Sequence, residues 1–214
     1  MLFQRSQTRI LGAVLGVLAG SLALGCGSSK DRSTLGPGPG TLDAGDAPAT
    51  GGVCESVTEA SPPTSWNHLT PCDPVTYDTN PPSGGDHYFV WAAYHSYDFA
   101  VPPGFLVHSL EHGAVIYWYN CPDGCSDEVA QAEAFIGELP TDPLCAGQGV
   151  ERRVILVPSP DLPARWAASA WGFTLKADCF DRVGMRSFYD THYGNGREAL
   201  CDPGFDVIPA TCPE

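Results

Sequence analysis

An α+β fold is predicted from three features of the chain. Two stretches carry a helical apolar period, short β-branched and aromatic runs lie between them, and the N-terminal half is crowded with Pro and Gly. Together they suggest a single domain over residues 54–214, built on a small, mainly antiparallel sheet with two helices. The irregular half would be stapled by disulfides.

The elements follow in chain order. Residues 1–26 read as a lipoprotein signal peptide. Arg5 and Arg9 precede the apolar run "ILGAVLGVLAGSLAL", which is short for a membrane span and suited to a leader. The ending "ALGC" resembles a bacterial lipobox and marks Cys26 as the lipidation residue. The Leu usual three positions before the cysteine is Ala23 here, with Leu22 one position earlier. Residues 27–53 are dominated by Gly, Pro, Ser and Ala, a composition that cannot bury a core, and read as a flexible linker. Residues 54–104 are dense in turn formers, and Trp66, Tyr77, Tyr88, Phe89, Trp91, Tyr94 and Tyr97 would pack that irregular half.

The second half is more regular. "AVIYWY" at 114–119 reads as a buried strand. "SDEVAQAEAFIGELP" reads as a helix with Ser126 as its N-cap. Acids fill its first turn, Val129, Ala132, Phe135, Ile136 and Leu139 form one apolar face, and Pro140 stops it. "RRVILVP" at 152–158 and "WAASAWGFTLKA" at 166–177 read as two further strands, paired antiparallel through "PSPDLPAR". "FDRVGMRSFYDTHYG" reads as the second helix, opening after Asp178 and closing at Gly194.

Composition narrows the function. The chain carries 25 Asp and Glu against 11 Lys and Arg, a net charge of −14 that repels phosphate backbones, so nucleic acid is not an expected partner. With Cys26 set aside, eight cysteines remain: Cys54, Cys72, Cys121, Cys125, Cys145, Cys179, Cys201 and Cys212. An even number in an exported domain suggests up to four disulfides, and a Cys201–Cys212 bridge would pin the Pro-rich tail. The expected location is the cell envelope, on a membrane through the lipid anchor and facing the periplasm or exterior.

"FLVHSLEHGAVIYWYN" at 105–120 holds the candidate site. In a helical turn His108, Glu111 and His112 share a face within about 6 Å; in a strand the two histidine Cα atoms stand roughly 13 Å apart. A shared metal therefore requires a helical turn, and Gly113 suits a left-handed cap for it. His87, behind Gly84 and Gly85 in "SGGDH", offers a further imidazole. Imidazoles with a carboxylate suit zinc or copper(II). Apart from Met1 in the leader, the chain holds one thioether, Met185, and paired cysteines would leave no thiolate for copper(I).

Other readings compete. "HSLEH" fits the H-x-x-E-H pattern of zinc hydrolases, although Gly113 and the following strand interrupt the helix such sites need. Cys121 and Cys125, between a strand and a helix, resemble the thiol and copper redox proteins of the Sco type, with His192 as the late imidazole they would need. Alternatively His108, Glu111 and His112 lock a turn in a purely structural surface domain whose protein partner the sequence does not name. His192 reads as structural, and His68 and His95 read as aromatic-cluster or surface residues.

"NPPSGGDH", "VHSLEHGAVIYWY", "AWGFTLKAD" and "MRSFYDTHYGNG" together resemble the bacterial family of unknown function numbered 3105 over most of residues 64–200. The resemblance implies that His87, His108, Glu111 and His112 belong to the family pattern, and that members are exported or membrane-anchored. It carries no activity to transfer. This chain departs from the usual "SGPH" with "SGGDH", and its eight cysteines are an addition.

Overall fold

The computed structural model describes residues 54–209 together with Thr211 and Cys212. The leader, Cys26 and the linker lie outside the described residues. Among the described residues seven strands and three α-helices follow in the order β1 (Ser56–Ala60), β2 (His68–Leu69), β3 (His87–Tyr88), α1 (Pro103–Glu111), β4 (Val115–Tyr119), α2 (Ser126–Gly137), β5 (Val154–Pro158), β6 (Trp166–Ala170), β7 (Phe173–Ala177) and α3 (Arg182–His192). The fold is α+β, as expected, with one more helix than the sequence suggests.

Five strands form the central sheet in the order β1-β7-β6-β4-β5. Three of its four pairings are antiparallel; β4 and β5 are parallel, with Val115 opposite Val154. A parallel pair needs a crossover, and α2 supplies it. The pairing expected between the 152–158 and 166–177 runs is therefore replaced: β5 and β6 flank β4 on opposite sides. Their connection crosses the end of β4, where the Asn120 side-chain amide donates to the carbonyls of Pro160 and Leu162. The 166–177 run is not one strand but a hairpin, turning through Trp171 and Gly172 with φ +80° at the glycine. Apolar residues on both sides of the turn conceal it in the sequence.

Alternation along β4 divides the interior. Val115 and Tyr117 face a cluster containing Ala132 and Phe135 of α2 and Met185, Phe188 and Tyr189 of α3. Ile116 and Trp118 face a second cluster with Phe105, Leu106 and Leu110 of α1 and the irregular segment holding Tyr88, Ala92, Tyr97 and Val101. Helices thus close one face of the sheet, and α1 with coil closes the other. The helix caps differ from expectation: Cys125, not Ser126, precedes α2 and makes no side-chain cap bond, while α3 starts at Arg182 with Asp181 accepting the Gly184 N–H at 3.0 Å.

The eight cysteines form four disulfides: Cys54–Cys179, Cys72–Cys212, Cys121–Cys125 and Cys145–Cys201. The Cys201–Cys212 bridge is overturned, because the two tail cysteines are pinned to different places. Cys201 joins the small buried cluster of Cys145 and Val150, and Cys212 returns to Cys72 in the irregular half. Four bridges suggest an oxidising, extracytoplasmic location. Among the described residues no helix is long and apolar enough to cross a membrane.

Candidate metal centre

Helix α1 is set by its own sequence. Pro103 occupies its first position, where the missing N–H costs nothing, and every residue from Gly104 to Glu111 is buried. It ends in a Schellman arrangement: Gly113 N–H donates to Leu110 O at 2.9 Å and Ala114 N–H to Ser109 O at 3.0 Å, with Gly113 at φ +85°. The helical turn expected at "HSLEH" is thus the last turn of a nine-residue helix.

The opposite wall is built by the shortest sheet in the molecule. β2 and β3 pair in parallel with His68 directly across from His87. Asn67 fixes the pair, donating from its backbone (2.7 Å) and side chain (3.0 Å) to Asp86 Oδ1. The His68, His87 and His108 rings form a triangle, with centroids 4.7–4.8 Å apart. One donor atom each from these three and Glu111 all lie within 4.8 Å of one another.

Hydrogen bonds orient the rings. His87 Nδ1 donates to Gly85 O at 2.8 Å and His108 Nδ1 to Tyr88 O at 2.7 Å. A carbonyl only accepts, so both imidazoles carry their proton on Nδ1 and present a lone pair on Nε2. His87 Nε2 nonetheless sits 3.0 Å from Glu111 Oε2, and His68 Nε2 lies 3.5 Å from the same oxygen. Two acceptors facing each other in a buried site are a poor pair unless a cation lies between them. Burial, more than any neighbour, keeps the imidazoles neutral. It pushes His108 down to about 3, with His112 and His87 adding to the effect, and His112 down to about 4. His87 is also lowered, burial outweighing the Gly85 carbonyl and Glu111.

A strap from Gly194 to Cys201 covers the end of α1. Gly194 N–H donates to Gly113 O and Glu198 N–H to Glu111 O, each at 2.9 Å. At Gly196 a Cβ would overlap the Glu111 carbonyl, so the approach admits only glycine. The strap delivers Arg197, whose Nη1 donates to Glu111 Oε1 at 2.6 Å while its guanidinium lies 4.1 Å from the Trp66 ring centroid. Beneath it, Arg153 donates to the His112 carbonyl and, at 2.9 Å, to buried Asp142.

Of the residues expected from sequence, His87, His108 and Glu111 come together. His112 lies beside them, 4.6 Å from the His108 ring, but is not one of the four convergent donors. It is fully buried, neither ring nitrogen has a hydrogen-bond partner, and Nε2 lies 3.6 Å from Glu198. His68, read as a surface or aromatic-cluster residue, supplies the fourth donor. Nothing in its spacing marked it, since only the β2–β3 ladder carries it to His87. Arg197 and Glu198 were likewise invisible, being placed by the strap. His95 pairs with exposed Asp206, and His192 stacks on Phe173 at 4.1 Å.

No curated protein and no solved structure matches the chain. The family model described as "Protein of unknown function (DUF3105)" matches residues 68–203, from the first imidazole of the cluster to just past Cys201. The four convergent donors, the strap and the whole sheet except β1 fall inside that span. On this match the chain belongs to the DUF3105 family.

Proposed function

We propose that this protein binds a transition-metal ion, zinc or copper(II), through His68, His87, His108 and Glu111. The observation that carries the reading is the arrangement of His87 and His108: each is turned by a backbone carbonyl that leaves Nε2 a lone pair, His87 Nε2 meets the Glu111 carboxylate, and the donors of His68, His87, His108 and Glu111 converge within 4.8 Å. Carbonyl-anchored imidazoles of this kind are how proteins fix the tautomer and aim of metal-binding histidines. The donor set is borderline in softness, and the sulfur donors are elsewhere: Met185 sits in the core on the far face of the sheet and the described cysteines are bridged. His112 remains part of the proposed site as a flanking imidazole, because two unpartnered buried nitrogens are costly and coordination would satisfy one.

The same geometry supports a binding role over the two competing chemistries. Glu111 has one oxygen on Arg197 and the other against His87, so neither is free to activate water in the H-x-x-E-H manner. The Cys121–Cys125 bridge closes a short turn, with Gly124 N–H on Cys121 O at 2.9 Å, and His192 packs on Phe173 and Phe188. Loading with copper(II) and recording electron paramagnetic resonance tests the ligand set. Nitrogen hyperfine structure that simplifies in His87→Ala is expected; a spectrum without nitrogen coupling would count against the reading.

We also propose that the domain is held on a membrane in the cell envelope by lipid on Cys26. The lipobox-like "ALGC" and the four disulfides support it. Cys26→Ser should move the protein from the membrane fraction to the soluble one, and an unchanged distribution would refute the anchor.

A further inference from the structure

We infer that the metal-loaded centre takes a small carboxylate anion at its solvent-facing rim, between His68 and Arg197. The inference rests on the metal reading above. Three side chains of the centre reach solvent: His68 at 48 % exposure, Trp66 at 45 % and Arg197 at 37 %. The remaining donors, His87, His108 and Glu111, are 0–3 % exposed. A molecule approaching the ion from this side meets these three residues.

Charge favours such a molecule. Histidines bind a metal as neutral imidazoles, and the Glu111 carboxylate is already paired with Arg197 at 2.6 Å. A divalent ion then adds two positive charges to a largely buried pocket, and buried charge without a partner is strongly unfavourable. Glu198, 3.6 Å from His112 Nε2, is 44 % exposed, and Asp86 beside His87 is engaged by Asn67; neither is one of the convergent donors, and the rim is open to an exogenous anion.

Arg197 fits that anion in shape as well as sign. A guanidinium has five N–H donors in a planar fork that matches a carboxylate. Among the described residues its one hydrogen bond is from Nη1 to Glu111, and it lies over the Trp66 ring at 4.1 Å. The ring holds the fork in place without consuming donors. Because Arg197 and the ion both engage Glu111, they flank one carboxylate. An anion at the rim can then contact both, entering as an added ligand of the kind that zinc-type centres accept when they expand to five-coordinate.

The test loads the full chain with cobalt(II), whose visible spectrum reports coordination, and adds acetate as the probe. Saturable spectral change in the parent is expected, together with cobalt-enhanced relaxation of ¹³C-acetate, which needs no mutation. Arg197→Met should weaken acetate binding by about tenfold or more, in line with the loss of a charge-assisted fork, with each variant's acetate titration read against its own acetate-free cobalt spectrum. Arg197→Lys keeps the charge on Glu111 but not the fork, and should fall between the two. A parent spectrum and acetate relaxation that ignore acetate would overturn the inference alone, as would equal acetate affinity in all three proteins. Cobalt that fails to bind the parent would overturn the metal reading and this inference with it.

Discussion

The two faces of the central sheet are closed by different means. On one, the amphipathic helices α2 and α3 lay Phe135, Met185, Phe188 and Tyr189 on β4 to make an apolar core. On the other, α1 contributes Phe105, Leu106 and Leu110 to the core, and the irregular chain around it brings in His68, His87 and Arg197. A lone helix can juxtapose only residues at i, i+3 and i+4. Coil pinned by disulfides has no such limit, and it brings positions 68 and 87 to the helical pair 108 and 111. The face with the least regular structure is the one that carries the candidate chemistry.

That contrast can be broken from either side. Phe135→Ala empties the helical face and should cost about 3–5 kcal/mol in denaturant unfolding, with metal binding by the folded protein unchanged. Arg153→Met should cost a similar 3–5 kcal/mol, because it strands buried Asp142. Unlike Phe135→Ala it should also lower metal affinity, since Arg153 braces the His112 carbonyl at the end of α1. Equal metal affinity in both variants would dissolve the distinction between the faces.

Smaller effects belong to the metal itself. At a free metal concentration of 100 times Kd the ion should stabilise the parent by about 2.7 kcal/mol, seen as a fall in Tm on adding chelator and absent in His108→Ala. Acid should act on the same face in the metal-free chain. His108 and His112 titrate at about 3 and about 4 when folded, against 6.5 when free. The unfolded chain then binds more protons through that window, so stability falls as pH drops below 6.5. The slope is about 1.4 kcal/mol per pH unit for each imidazole, and it levels off once pH passes the folded values. A flat profile from pH 6.5 to 4 would contradict the burial of these rings. At the bottom of the scale, Arg186→Ala removes an exposed i,i+4 pair with Asp190 and should change stability by less than about 0.5 kcal/mol, with no effect on metal.

What could be read from sequence follows the same divide. The helical face is legible because a 3.6-residue period names α2, and β-branched and aromatic runs name β4 and β5. The end of α1 is legible too, since Gly113 marks the left-handed cap that "HSLEH" requires. β1 escapes because an edge strand such as "SVTEA", exposed at four of its five positions, has no apolar alternation. His68 and Arg197 escape for a deeper reason. One reaches the site through a two-residue parallel ladder and the other through a glycine-lined strap, 86 residues from Glu111. Long-range placement of this kind leaves no local pattern. The same holds for Cys145–Cys201 and Cys72–Cys212, whose partners are chosen by the folded path rather than by nearness in the chain.

The most direct test of the centre is elemental analysis of the full chain, exported to an oxidising compartment and purified without chelators, beside His108→Ala. Zinc or copper close to one ion per chain in the parent, lost in the variant, is the expected result. No bound metal in either protein, even after both ions are supplied, would make the histidine cluster a structural feature and remove the basis for the centre.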